Sequence, residues 1–183
     1  MPPDPARTID AEIAAFDSEE SAVEDTVSDL IAAFPSNKQF THVHIKVIAI
    51  SQLYRARVLN IDAERLARHI TALNFDSLLA AGSPEAVTLI HDCTTTRLQY
   101  YSFATKFCSW HNQNAYSLWD YNVDEALWAY KNRDDFAKFK RKDLLNYARL
   151  VEIVKEFRDF YGLPRHSLKN IDKFLWRVGA NLV

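Results

Sequence analysis

Phe40-Thr41-His42-Val43-His44-Ile45-Lys46-Val47-Ile48-Ala49-Ile50-Ser51-Gln52-Leu53-Tyr54 is the stretch on which the fold class turns. Thr41, Val43, Ile45 and Val47 alternate with the period of a strand, whereas Val43, Val47, Ile50 and Tyr54 share one face of a helix. The pattern continues to Arg57, longer than a single strand of ordinary length, so the stretch is read as a helix over Phe40 to Arg57.

Outward from it the signals are helical. Ala22, Val23, Val27, Leu30 and Ile31 give a first helix one apolar face, from near Ser18 to Phe34, stopped by Pro35-Ser36-Asn37. The Pro-rich, acidic residues 1–18 are expected to form a disordered arm. Asp62 is the expected N-cap of a helix to Leu73, and Ser83-Pro84-Glu85 opens the next. Helices are further expected over Leu98 to Trp110, from Asp120 or Asn122 to Tyr130, from an Asp143 cap to Tyr161, and from Ser167 onward. The reading is all-α: a single compact helical domain over residues 19–183.

Composition agrees. Three glycines in 183 residues leave little for tight hairpins or phosphate-cradling loops, while 48% apolar residues supply a core. Cys93 and Cys108 make neither a disulfide scaffold nor a thiolate zinc site, and the six histidines lack metal-ligand spacing, so no metal or cofactor is expected. The start Met1-Pro2-Pro3-Asp4-Pro5 has no secretory character and no apolar run spans a bilayer, which gives a cytoplasmic expectation with no membrane contact. The net charge of −2 hides a division, −6 over residues 1–100 and +4 over 101–183, so a polyanion would meet the second half.

Chemistry concentrates in Ser102-Phe103-Ala104-Thr105-Lys106-Phe107-Cys108-Ser109-Trp110 and, beyond the polar His111-Asn112-Gln113-Asn114, in Tyr116-Ser117-Leu118-Trp119-Asp120-Tyr121-Asn122-Val123-Asp124. A lysine hemmed by aromatics loses hydration, which favours its neutral, nucleophilic form. Asp120, at an expected helix N-terminus, stays ionised and opposes positive charge. Lys106 and Asp120 are therefore the catalytic candidates. Phe103, Trp110, His111, Tyr116 and Trp119 are candidate stacking faces for an extruded base, with Tyr116 and Trp119 expected to be exposed, and Gln52 and Tyr54 candidates to reach that base. Lys131, Arg133, Lys138, Lys140, Arg141 and Lys142 form a basic run suited to DNA phosphates.

Across Ser51 to Gly179 the chain resembles a bacterial family of short proteins similar to 8-oxoguanine DNA glycosylase, within the helix-hairpin-helix glycosylase superfamily. The lines that carry the resemblance are Gln52-Leu53-Tyr54, Leu66-Ala67-Arg68-His69-Ile70, the run from Tyr101 to Asn112, and Lys173-Phe174-Leu175-Trp176. Thr105-Lys106 resembles the motif bearing the Schiff-base lysine, and Asp120 followed by Val123 resembles the catalytic aspartate opening the next helix. The resemblance implies a DNA-binding helical fold and base excision, with or without AP-lyase strand cleavage, for DNA repair. Where the superfamily reads Leu-Pro-Gly-Val-Gly before the lysine helix, this chain has Gln99-Tyr100-Tyr101-Ser102-Phe103. That departure is what the alternative predicts: a non-catalytic module that binds DNA or a protein partner, for example in phage defence or regulation. Between these the sequence leaves open whether the chain is an enzyme, and it does not set an oligomeric state.

Overall fold

The structure is a computed structural model. It describes the whole chain except Arg55, Arg57, Leu59, residues 94–97 and Val183, with backbone only for Asn60, Ile61, Leu98 and Gln99. The described elements are helical: α1 Pro5–Ala33, α2 Phe40–Leu53, α3 Asn60–Leu73, α4 Asp76–Ala81, α5 Glu85–His91, α6 Leu98–His111, α7 Tyr121–Asp134, a 3-10 turn Arg141–Leu145, α8 Tyr147–Phe160 and α9 Leu168–Ala180. The all-α reading holds, including the helical choice for the ambiguous stretch, which ends at Leu53 because the chain leaves helical geometry at Tyr54. Arg57, the expected last residue, lies outside the described residues.

The helices gather into two compact units, one of residues 22–116 and one of residues 1–21 with 117–183. In the first, α2 packs against α3 and α6, and α5 against α6. Val43, Val47 and Ile50 supply the buried face of α2, and Phe103 and Phe107 that of α6. Gly82, with φ at +69°, ends α4 in the left-handed region where a side chain is strained.

In the second unit α7 packs against α9, and α8 packs against α9 and the 3-10 turn. The α7–α9 approach is close at Gly179, where an added Cβ would lie 1.9 Å from the Asn122 carbonyl oxygen. Ser167 caps α9 by accepting from the Asn170 amide at 3.2 Å. The cap of α8 is Asn146, which accepts from the Arg149 amide at 3.1 Å, rather than Asp143. Asp143 instead accepts from the Lys140 amide at 2.8 Å and so belongs to the preceding 3-10 turn.

The expected arm is helix from Pro5. Asp4 opens it, its side chain accepting from the Ala6 amide at 3.1 Å, and Pro5 sits in the first turn, where its missing N–H costs nothing. Ile9 and Phe16 are buried, and Phe16 meets Trp176 edge to face with ring centroids 5.6 Å apart. The acids that suggested disorder have cationic partners on distant sequence: Asp10 pairs with Arg165, Asp17 with Lys173, and Glu12 and Glu19 with Arg177. Among the described residues no helix is long and apolar enough to cross a membrane.

Candidate functional site

Lys106 sits on α6 and is only 4% exposed, where an ordinary surface lysine would carry its amine to water. Its Nζ donates to the Tyr54 carbonyl at 3.1 Å, just past the end of α2. The Tyr54 ring meets Trp110, one helical turn beyond Lys106, at 5.7 Å between centroids, and its hydroxyl donates to Glu24. Lys106, Tyr54 and Trp110 are thus brought together, with Gln52 exposed on the last turn of α2.

The other α6 aromatics face a different neighbourhood. Phe103 and Phe107 pack on one another at 5.7 Å, and Phe107 on Phe75 at 6.5 Å. His111 stacks on Phe107 at 4.5 Å, with Nδ1 2.9 Å from the Phe107 carbonyl. That contact makes Nδ1 the donor and leaves the Nε2 lone pair facing Lys46 Nζ at 3.2 Å.

Lys46 is the residue that sequence reading passed over. It is fully buried, and its ammonium donates to the Phe34 carbonyl at 2.9 Å, the Ser36 carbonyl at 3.2 Å and Asn37 Oδ1 at 2.6 Å. Asp76 completes the cluster, accepting from the Asn37 side chain at 2.8 Å and from its backbone amide. Burial pulls Lys46 down to about 8 against the opposing effect of Asp76. Burial and the nearby Lys46 charge pull His111 down to about 4. For Asp76 burial acts upward, but the hydrogen bonds from Asn37 and Ser36, with Lys46, hold it below the usual carboxylate range. The signal was present: position 46 lies within the Val43, Val47, Ile50 stripe, where a lysine must be buried with partners.

Tyr116 and Trp119, expected to be exposed, are both buried. The Tyr116 hydroxyl donates to the Leu78 and Ser83 carbonyls at 3.0 and 2.9 Å, so the ring is fixed among α4, α5 and α6 rather than presented to a base. Trp119 carries enough apolar area that covering it outweighs the polar sequence around it.

Asp120 is the N-cap of α7, as the sequence suggests, with Oδ1 accepting from the Val123 amide at 3.1 Å. It lies in the second unit and Lys106 in the first. Asp172, on α9, also escaped sequence reading although it interrupts the apolar face of Leu168, Ile171 and Leu175. It is 1% exposed and accepts from the Ser117 hydroxyl and, at 2.9 Å, from the Leu118 amide. Burial pushes it up to about 7; those hydrogen bonds and Lys169 act downward, and Asp120 pushes it further up.

The basic run is largely engaged with the chain's own acids and carbonyls. Lys131 and Lys138 both pair with Asp135, Arg141 pairs with Asp124 and Glu125, and Arg133 pairs with Asp134 while donating to the Pro2 and Pro3 carbonyls. Lys140 and Lys142 are exposed. Among the described residues no cluster of histidine, cysteine and carboxylates is arranged to hold a metal ion.

The chain is 35% identical over 120 residues to an uncharacterized protein of Haemophilus influenzae, the aligned part covering 64% of this chain and 57% of that protein. No solved structure matches it significantly. Residues 8–115 match the model of the HI_0787_N family, described as an N-terminal domain, and the chain belongs to that family.

Proposed function

We propose that the chain is a DNA glycosylase-like protein in which Lys106 supplies the amine nucleophile and Asp120 the carboxylate. The observation that carries this reading is the burial of the Lys106 side chain beside Tyr54 and Trp110, which sets it apart from a snorkelling surface lysine. In the proposed step the neutral lysine amine attacks C1′ of an extruded nucleotide, the C1′–base bond breaks, and the proton released from the lysine nitrogen balances the one taken up by the leaving base. A carboxylate at a helix N-cap is suited to oppose the positive charge that develops at C1′. Borohydride trapping on DNA containing damaged bases or abasic sites tests this. A covalent adduct is expected with the wild type and none with Lys106→Gln at unchanged thermal stability; an adduct of equal yield in the variant ends the assignment.

A non-catalytic module is the second reading, favoured by two observations. Lys131, Arg133, Lys138 and Arg141 of the basic run are matched by neighbouring carboxylates, which weakens any phosphate grip. Ile45 and Ile48 on α2 are also exposed, a feature more at home in protein contact than in DNA contact. This reading predicts no adduct on any substrate.

A further inference from the structure

Asp120 is reached through a segment that α9 holds on both sides. Ahead of it, the two oxygens of Asp172 each take one donor, Ser117 Oγ on Oδ1 and the Leu118 amide on Oδ2, while the Tyr147 hydroxyl of α8 donates to the Ser117 carbonyl at 3.0 Å. Behind it, Gly179 lies against the backbone of Asn122 so closely that a methyl group does not fit. Positions 172 and 179 are two turns apart on one face of α9. The backbone of residues 117–118 and of residue 122 is therefore gripped by a single helix face, and Asp120 sits between the two grips.

We propose that Asp172 is the positioning residue of Asp120, fixing by its hydrogen bonds where the Asp120 carboxylate lies and by its charge how firmly that carboxylate holds the Val123 amide. The proposal rests on the reading that Asp120 supplies the functional carboxylate. The charged groups that act on Asp172 are Asp120, on the segment entering α7, and Lys169, on α9 itself, with the Tyr147 phenol one hydrogen bond away through Ser117. A buried acid that changes charge near neutrality changes the field at a carboxylate carried by the segment it grips.

The Val123 amide, bonded to Asp120 Oδ1, reports the effect without any need for excision. In proton–nitrogen spectra of the full chain its resonance is expected to move with a midpoint near 7, following Asp172. In Asp172→Asn the side-chain amide donates to Ser117 Oγ while its oxygen accepts from Leu118, so the clamp survives without the charge and the movement is lost. In Asp172→Ala the clamp goes as well, and the Val123 amide exchanges with solvent faster by about tenfold or more. A Val123 resonance insensitive to pH through neutrality in the wild type, or one that titrates identically in Asp172→Asn, overturns the proposal. The near-isosteric Asn variant keeps the test decisive if Asp172→Ala does not fold. Failure to trap an adduct would end the excision reading and leave this result standing, whereas a pH-insensitive Val123 would end this proposal and leave trapping untouched.

Discussion

Lys46 in the 22–116 unit and Asp172 in the other unit are both covered from solvent, yet the chain accommodates them differently. Lys46 has four acceptors around its ammonium, the Phe34 and Ser36 carbonyls, Asn37 Oδ1 and His111 Nε2, with the Asp76 carboxylate nearby, and these offset in part the burial that pulls it down to about 8. Its targets are the carbonyls of Phe34 and Ser36, where the chain leaves α1, and the ammonium acts as a cap for that helix end. Asp172 is pushed up to about 7 by burial against two neutral donors, with the charges of Lys169 and Asp120 acting on it in opposite directions, so its neutral form competes near neutrality. A buried cation ringed by acceptors from several segments becomes a lock; a buried acid set between opposing charges becomes adjustable.

The widest separation between the two comes from removing the lock. Lys46→Met leaves two backbone carbonyls and Asn37 Oδ1 without their donor, and a loss of about 3 kcal/mol or more is expected in the urea unfolding of the chain. A loss below about 1 kcal/mol would place Lys46 among ordinary side chains and break the comparison.

The next effect is a difference in sign. His111 stays unprotonated in the fold down to about 4, while the unfolded ring binds a proton below about 6.5, so rising pH favours the 22–116 unit across that window. Asp172 keeps its proton in the fold up to about 7, while the unfolded carboxyl releases it near 3.8, so rising pH disfavours the other unit across most of the same range. Amide exchange, corrected for its intrinsic pH dependence, is expected to show protection in α6 rising and protection in α9 falling between about pH 4.5 and 6.5. Parallel trends in the two helices would remove the distinction.

The smallest expected effect sharpens the comparison from outside. Lys138 and Asp135 form an exposed pair, and Lys138→Ala should leave the urea midpoint of the chain unchanged. A shifted midpoint, read in the same urea titration, would mean that surface pairing rather than buried clusters carries the charge effects of this chain.

Local signals explain what was legible. The α2 helix, the Asp120 and Ser167 caps and the burial of Val43, Val47 and Ile50 all follow from spacing and cap chemistry within a few residues. The start of α1 was not legible, because Asp10, Glu12, Asp17 and Glu19 look like a solvated tail until Arg165, Lys173 and Arg177 are brought to them. In the candidate site, Lys106 and Asp120 stood out by their aromatic and capping neighbours. Tyr116 and Trp119 were misjudged because adjacency to a polar linker says nothing about which way a large ring turns. Lys46 and Asp172 were overlooked since each reads as one polar residue in an apolar stripe, and its partners lie on other elements.

The first helix belongs to both units, its residues before 22 to one and the rest to the other, while the family match runs from residue 8 to residue 115. Sequence continuity and structural membership therefore part company inside a single helix. A fragment cut at the family boundaries would carry Ile9 and Phe16 away from Trp176 and the rest of their own unit, exposing apolar side chains that the intact chain covers. In the remaining chain Arg165, Lys173 and Arg177 would lose the acids that neutralise them, so the stretch that looks like one portable module by homology holds nearly all of one packed unit and only a strip of the other.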